Sequence, residues 1–244
     1  MTIIVEKAAF ESDVILWDGG NNDFPFIQPD LHIALVDPLR PGDETRYHPG
    51  ETVVRMADIV LIPKSEVATP AQVEEVRKNV AQLNPNAKII LGRSPLRLDP
   101  PMNLQGKKVV VVEDGPTTTH GGMGYGAGYQ AVKDLKGIEV IDPRPFAVPE
   151  IKAVYDKYPH LTQIVPAMGY FPAQLQALAD TLNASDADVV VSATPSDLSR
   201  LITLNKPLVR VFYDYGEAEQ PGLGELVDRF LCQQGLGGSP HDTP

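Results

Sequence analysis

Val109-Val110-Val111-Val112 runs directly into Glu113-Asp114-Gly115-Pro116-Thr117-Thr118-Thr119-His120-Gly121-Gly122-Met123-Gly124-Tyr125-Gly126-Ala127-Gly128. Four consecutive β-branched residues bounded by breakers read as a strand buried on both faces. The polar, glycine-dense stretch after it leads into Tyr129 to Leu135, which can be helical. Strand, glycine-rich turn and helix together are how α/β proteins present backbone N–H groups and a helix N-terminus to an anion. Two acids, three threonines and a histidine give this turn more polar chemistry than a connection requires. An ordinary long loop is the plain alternative.

Working outward, short apolar runs alternate with longer segments of helical period, the pattern of βαβ units. Strands are expected at Val14–Trp17, Leu31–Val36, Ile59–Ile62, Lys88–Leu91, Lys108–Val112, Ile138–Ile141, Gln163–Val165, Val189–Ser192 and Leu208–Phe212. Helices are expected at Pro70–Leu83, Tyr125–Leu135, Val148–Tyr158, Pro172–Asn183 and Ser196–Leu204. Thr69 is the N-cap of the first of these, with Pro70 at the first helical position. The fold class is therefore α/β, with mainly parallel sheets and flanking helices. Leu96 to Gly106, which holds Pro100-Pro101, is the expected boundary between two halves. The organisation predicted is 1–103, 104–232 and a Gly/Ser/Pro-rich tail over 233–244, expected to be disordered.

The 244 residues carry 21 basic and 32 acidic side chains, a formal charge of −11. That balance argues against nucleic acid as a general partner, which needs clustered Lys and Arg. A small anionic substrate needs only a local positive spot and remains open. The single cysteine, Cys232, rules out an intrachain disulfide and a cysteine-based metal cage. No apolar run approaches the ~18 residues of a membrane span. The first residues show no basic region followed by an apolar stretch, so the cytoplasm is the expected location.

A second constellation lies in the first half. Val14-Ile15-Leu16-Trp17 would deliver Asp18 at its carboxyl end, followed by Gly19-Gly20-Asn21-Asn22-Asp23. In P-loop nucleotide hydrolases an aspartate so placed holds the Mg²⁺ that bridges the phosphates, and glycines let backbone approach the ligand. A strand ending in a solvated turn is the plain reading. Pro63-Lys64-Ser65-Glu66 stands where such proteins carry a base-recognition turn of the Asn-Lys-x-Asp type, with Pro63 and Glu66 replacing its Asn and Asp. Gly92-Arg93-Ser94 follows the next strand, where a base-stacking loop would lie. A Gly-x-x-x-x-Gly-Lys-Ser/Thr loop is absent from the sequence, and Gly121 to Gly128 lacks its lysine and hydroxyl.

These residues resemble the cyclic 2,3-diphosphoglycerate synthetase family, some of whose relatives are described only as predicted GTPases. The resemblance is carried by Asp18-Gly19-Gly20-Asn21-Asn22-Asp23, Asp37-Pro38-Leu39-Arg40-Pro41-Gly42, Tyr47-His48-Pro49-Gly50-Glu51 and Arg55-Met56-Ala57-Asp58. It continues through Val112 to Thr117, Thr119 to Met123, Asp142-Pro143-Arg144-Pro145, Lys157 to His160, Pro166 to Tyr170 and Ala193 to Leu198. It implies a P-loop-NTPase-like first half lacking its phosphate-binding loop and a Rossmann-like second half, together the C-terminal part of a longer enzyme. The implied activity joins the two phosphates of 2,3-diphosphoglycerate into a cyclic anhydride with ATP (or GTP) and Mg²⁺. Asp43 stands where the family pattern expects histidine.

The resemblance also implies roles. Asp18 is the metal-site carboxylate, with Gly19, Gly20 and Lys64 on the nucleotide. His120 donates to a phosphate oxygen or moves a proton. Thr117, Thr118, Thr119, Gly121 and Gly122 supply donors to substrate phosphate, and Arg40, Arg55 and Arg144 supply bidentate contacts. Glu113 and Asp114, if they face the site, meet Mg²⁺ or a hydroxyl. Plain readings stand beside these: Arg55 paired with Asp58 on a helix turn, Arg144 held in a rigid turn by a carboxylate, and His48 and His160 in structural or surface roles. Tyr125, Tyr129 and Met123 read as packing residues.

Two function classes follow. One is an enzyme part that needs a separate N-terminal subunit bearing the phosphate-binding loop and turns over no nucleotide alone. The other is a non-catalytic binding module for a phosphorylated metabolite, or a GTPase-like protein. A homodimer is a further expectation.

Overall fold

The computed structural model describes residues 2–19, 24 and 26–236. They fall into two units, one comprising residues up to Pro95 and from Tyr215 onward, the other Leu96–Asp214.

The first unit is built on three parallel strands, β1 (Ile33–Leu35), β2 (Ile59–Ile62) and β3 (Lys88–Arg93), in that spatial order. Leu35 lies opposite Leu61 and Leu61 opposite Ile90. The two-residue strand Gly216–Glu217 adds antiparallel to β3. All four β2 residues are buried, as expected of a central strand covered on both faces. Helix Pro70–Leu83 starts where Thr69 and Gln72 form a reciprocal capping box with Pro70 at the first position. Its Val76 and Val80, four apart and therefore on one face, pack against Val60 and Ile62.

Asn84 ends that helix and performs a second task. Its buried Nδ2 donates to the carbonyls of Val54 (3.0 Å), Arg55 (3.2 Å) and Ala57 (2.8 Å). Those carbonyls lie at the end of helix Gly50–Met56 and its cap Ala57, where the helix's own turns cannot satisfy them all, although Val54 also receives the Ala57 N–H. At the other end of the unit, Glu217 accepts from the N–H groups of Leu223 and Gly224 and from the Tyr215 hydroxyl, fixing the start of helix Leu223–Gln233.

The second unit is a six-stranded sheet. Its strands are β4 (Leu96–Asp99), β5 (Lys108–Asp114), β6 (Glu139–Val140), β7 (Val165–Ala167), β8 (Val189–Ala193) and β9 (Leu208–Tyr213). The order is β4-β9-β8-β5-β6, parallel except for β4, with β7 also on β5. β5 shares one edge between two partners: β6 pairs with Lys108 and Val109, β7 with Val112, Glu113 and Asp114. Its other edge carries β8. Val109 to Val112 are all 0% exposed, as the valine run predicts. Helices Ala127–Val132, Pro149–Lys157 and Pro172–Ala184 flank this sheet.

The α/β class expected from the sequence is the observed one, and several elements differ from expectation. Val14–Trp17 is not a strand: it lies outside regular structure, with Leu16 89% exposed. An apolar run becomes a strand only where a neighbour satisfies its backbone, and no described strand pairs with it. Helix Thr2–Glu11 precedes it, unforeseen because its apolar residues gather on no single face. Leu96–Gly106, expected as a linker, begins with β4, which pairs with β9 from Leu96↔Tyr213 to Asp99↔Arg210. The division thus falls at Pro95/Leu96 rather than 103/104, and the chain returns to the first unit at Tyr215. Ser196–Leu204, expected as an α-helix, holds only the 3₁₀ turn Leu198–Arg200. Most of the 233–244 tail lies outside the described residues. No described helix is long and apolar enough to cross a membrane.

The Asn84 cross-tie makes a stability prediction. Asn84→Ala strands buried carbonyls and is expected to cost about 1–3 kcal/mol, read as a lower urea midpoint at unchanged m-value. An unchanged midpoint would show that the tie contributes nothing.

Candidate functional site

Within the second unit the chain leaves β5 for β6 and β7 on one edge, then crosses to β8 and β9 on the other. The strand order reverses between β5 and β8. Open parallel sheets bind ligands in the crevice at the carboxyl ends of such strands. The residues presented there are the turn after β5, Met168–Tyr170 after β7, and Thr194–Asp197 after β8.

The turn after β5 is more structured than the glycines suggested. Asp114 N-caps a short helix, Gly115–Thr119, its Oδ2 accepting from Thr117 N (3.4 Å) and Thr117 Oγ1 (3.0 Å). Thr118 Oγ1 bonds back to the Asp114 and Gly115 carbonyls, and Thr119 Oγ1 donates to the Gly115 carbonyl at 2.8 Å. Thr118 and Thr119 are buried, so their hydroxyls fasten the helix rather than face solvent. Gly115 has no room for a side chain: a Cβ would lie 2.2 Å from the Ala167 carbonyl oxygen.

His120 ends this helix and is exposed. Its Nδ1 lies 3.1 Å from Thr119 Oγ1. That hydroxyl already gives its proton to the Gly115 carbonyl, so Nδ1–H is the donor to the oxygen. In the neutral ring this assigns the lone pair to Nε2, the tautomer following from the network. Gly121 N–H bonds to the Pro116 carbonyl, and Gly122 adopts φ 65°, a left-handed conformation glycine takes without strain.

The later glycines serve an internal anion. Glu113 is 2% exposed, and its Oε1 accepts from the N–H groups of Gly126 (3.0 Å) and Tyr129 (2.8 Å). A Cβ on Gly126 would lie 2.6 Å from Glu113 Oε2, and one on Gly128 2.9 Å from Val111 Cγ1. The backbone donors expected to face an outside ligand therefore hold the protein's own carboxylate. Glu113 points inward, away from the Mg²⁺ or hydroxyl role considered for it. Burial raises its pKa, opposed by hydrogen bonds from the Tyr129, Gly128 and Gly126 backbone.

His160, expected in a structural or surface role, is a fastener: its Nε2 donates to the Thr118 carbonyl at 2.8 Å. Tyr129 adds a bond from its hydroxyl to Gln163 Oε1 at 2.7 Å. Arg144 makes the carboxylate-held turn that was its plain reading, with Nε and Nη2 on Asp142. The Arg144 bond holds the Asp142 carboxyl below the usual range.

In the first unit the expected residues gather at the carboxyl ends of β1 to β3. Lys64, with φ 59°, places Nζ 2.8 Å from Asp37 Oδ2, and Arg40 Nη2 lies 3.5 Å from the same oxygen. Arg40 Nε also approaches Asp43 at 3.9 Å. The two loops expected to flank a base do meet: Ser65 N–H donates to the Gly92 carbonyl, and Ser94 N–H donates to Glu66 Oε1 at 2.8 Å. Arg55 stands apart from this group, bonded to Glu51 and to the Leu83 carbonyl. Its partner is not Asp58, which instead accepts the His32 N–H. Asp18 is exposed beyond any strand, and Gly19 packs near the Trp17 indole. Gly20 lies outside the described residues. Among the described residues no three His, Cys, Asp or Glu side chains converge as a metal site.

Sequence reasoning missed Glu113 as a clamp and Asn84 as a cross-tie. Strand alternation offered one usable signal: a residue two past Val111 faces the same side as Val111, toward the packed helix.

No family model matches the chain. Against curated proteins, 227 residues (93% of the chain) are 52% identical to the arginine synthetase ArcE of Thermococcus kodakarensis, covering 51% of it. Cyclic 2,3-diphosphoglycerate synthetases of Thermococcus sibiricus and Thermococcus kodakarensis are 24% identical over 106 residues and 28% identical over 100. Those matches take in 43% and 41% of the chain and 24% and 23% of the enzymes. The chain is related to these synthetases. It spans about half the length of the arginine synthetase it matches. The cyclase resemblance is thus placed within a wider relationship, in which the arginine synthetase shares more identity over more of the chain.

The Glu113 clamp predicts a pH-dependent stability. A raised folded pKa means that the folded protein keeps this proton to higher pH than the unfolded chain. The contribution is complete below the ordinary glutamate value of ~4.3 and is lost as pH rises through the folded value. Wild-type stability should therefore fall relative to Glu113→Gln as pH rises above the ordinary glutamate range, measured by urea unfolding. Glu113→Ala, which removes the acceptor of two N–H groups, is expected to cost on the order of 2–4 kcal/mol. Parallel pH curves for wild type and Glu113→Gln would refute the assignment.

Proposed function

We propose that the chain forms the substrate-side part of a nucleotide-dependent synthetase, with His120 moving the proton of the bond-forming step. The observation that carries this is the exposed imidazole at the strand-order reversal, its Nδ1 tied down and its Nε2 open. The relatedness to synthetases supports the reaction class. Arginine is the proposed amino-acid product, after the relative with 52% identity. The alternative substrate is 2,3-diphosphoglycerate, closed to its cyclic phosphoanhydride, favoured by the 24–28% identity to cyclases over about 100 residues.

ATP is the proposed phosphoryl donor, ahead of GTP, because Glu66 Oε1 is engaged by the Ser94 N–H. Mg²⁺ would accompany it and neutralise phosphate charge. The described residues do not make that metal site by themselves: Asp18 stands alone and exposed, Glu113 is turned inward, and Asp114 caps a helix. The lysine-bearing phosphate loop is therefore proposed to come from a separate N-terminal polypeptide, in the cytoplasm. The chain's own residues perform the rest. His120 Nε2 takes a proton from the attacking group or, once protonated, donates to an anionic oxygen. Asp114 and the Thr117–Thr119 hydroxyls hold the helix that aims it. A homodimer remains part of the proposal.

Co-expression with a polypeptide matching the other half of the arginine synthetase should yield ATP turnover that neither part shows alone. His120→Ala should lower that kcat by about 10²–10⁴-fold. Full activity in the variant, or full turnover by the chain by itself, would overturn this reading.

A further inference from the structure

A hollow of about 230 Å³ opens between helices Pro149–Lys157 and Pro172–Ala184, at the carboxyl end of β7. Its apolar walls include Ile151, Val154 and Leu178, and Met168 and Gly169 contribute from the segment after β7. Two polar side chains line it, Glu150 and Gln174. Glu150 is exposed and has no hydrogen-bond or ion partner among the described residues. Gln174 Oε1 accepts the Phe171 N–H, which leaves its Nε2 hydrogens uncommitted. The carboxamide lies against Gly169, where a Cβ would sit 2.3 Å from Oε1.

Three properties select a ligand. The volume lies below the ~300–1,000 Å³ of sites for drug-sized molecules, so the hollow takes one side-chain-sized group and not a nucleotide. The apolar walls suit a methylene stem, and the unpaired carboxylate suits a cation at its end. Met168, on the hollow's wall, and Ala167 beside it pack against Gly115, the first residue of the helix whose far end carries His120.

We infer that this hollow is the seat of the guanidinium end of an arginine-type ligand, with Glu150 as its anionic partner and the stem along Ile151, Val154 and Leu178. The inference rests on the synthetase reading for its choice of arginine, while the hollow's apolar walls and open carboxylate by themselves fit an alkyl-stemmed cation. A planar guanidinium can meet both Glu150 oxygens at once, which an ammonium cannot. Arginine is accordingly preferred to lysine.

The test is methyl NMR of the full chain titrated with arginine, agmatine and lysine. Arginine and agmatine should shift the methyl resonances of Ile151, Val154, Met168 and Leu178, and lysine should do so more weakly. Glu150→Gln, at an exposed position and with unchanged thermal stability, should weaken arginine binding by about tenfold, the worth of one charged hydrogen bond. No shift at these methyls, shifts elsewhere, or a Glu150→Gln affinity within twofold of wild type would overturn the inference. The two readings fail separately. ATP turnover in the reconstituted enzyme without these shifts sinks the hollow alone, and these shifts without turnover sink the synthetase reading alone.

Discussion

The buried carboxylate of Glu113 is the constraint on which the second unit's chemistry depends. A charge-bearing group at 2% exposure is costly unless donors surround it. Here the donors are the backbone N–H groups of Gly126 and Tyr129, and glycine is required at 126 because the carboxylate leaves no space for a side chain, as it is at 128 because Val111 does. One interaction therefore closes the loop that begins at Asp114 and sets where helix Ala127–Val132 starts. His160 holds the same loop from the other side through the Thr118 carbonyl. Between these anchors His120 is the polar side chain left facing outward with an open ring nitrogen.

The first unit solves a similar problem with neutral groups. Asn84 gathers carbonyls from a neighbouring helix end, and Thr69 with Gln72 closes the start of its own. Its charged residues are arranged differently. Lys64 and Arg40 both approach Asp37, and Lys64 does so from a left-handed backbone conformation that non-glycine residues rarely adopt. Strain of this kind collects where a side chain must be aimed.

Much of this was legible in the sequence. The valine run announced the central strand, and Thr69-Pro70 placed a helix start to the residue, because caps and β-branched burial are local effects. What depended on partners was not legible. Val14–Trp17 has strand composition but no neighbour among the described strands, and the alternating Leu96–Asp99, masked by the Pro100-Pro101 after it, lies beside β9. At the candidate site, the type of residue was readable and its direction was not. Thr118 is a polar residue in a polar turn, and only the fold shows that it faces inward, whereas for Glu113 the alternation from Val111 was the one hint. Arg144 and Arg55 were readable as phosphate ligands or as ion-pair members, and each sits against a carboxylate.

The divided edge of β5 has an evolutionary consequence. Its first two residues are held by β6, and its last three by a separate short strand, β7. The loop beyond β7, Met168 to Tyr170, can thus be rewritten without disturbing the pairing of β5, β8 and β9, which bond to one another over their own edges. A sheet built this way keeps a fixed lower storey and an exchangeable upper one. Substrate choice can then change at that loop while the valine strand and the strands beside it keep their pairing.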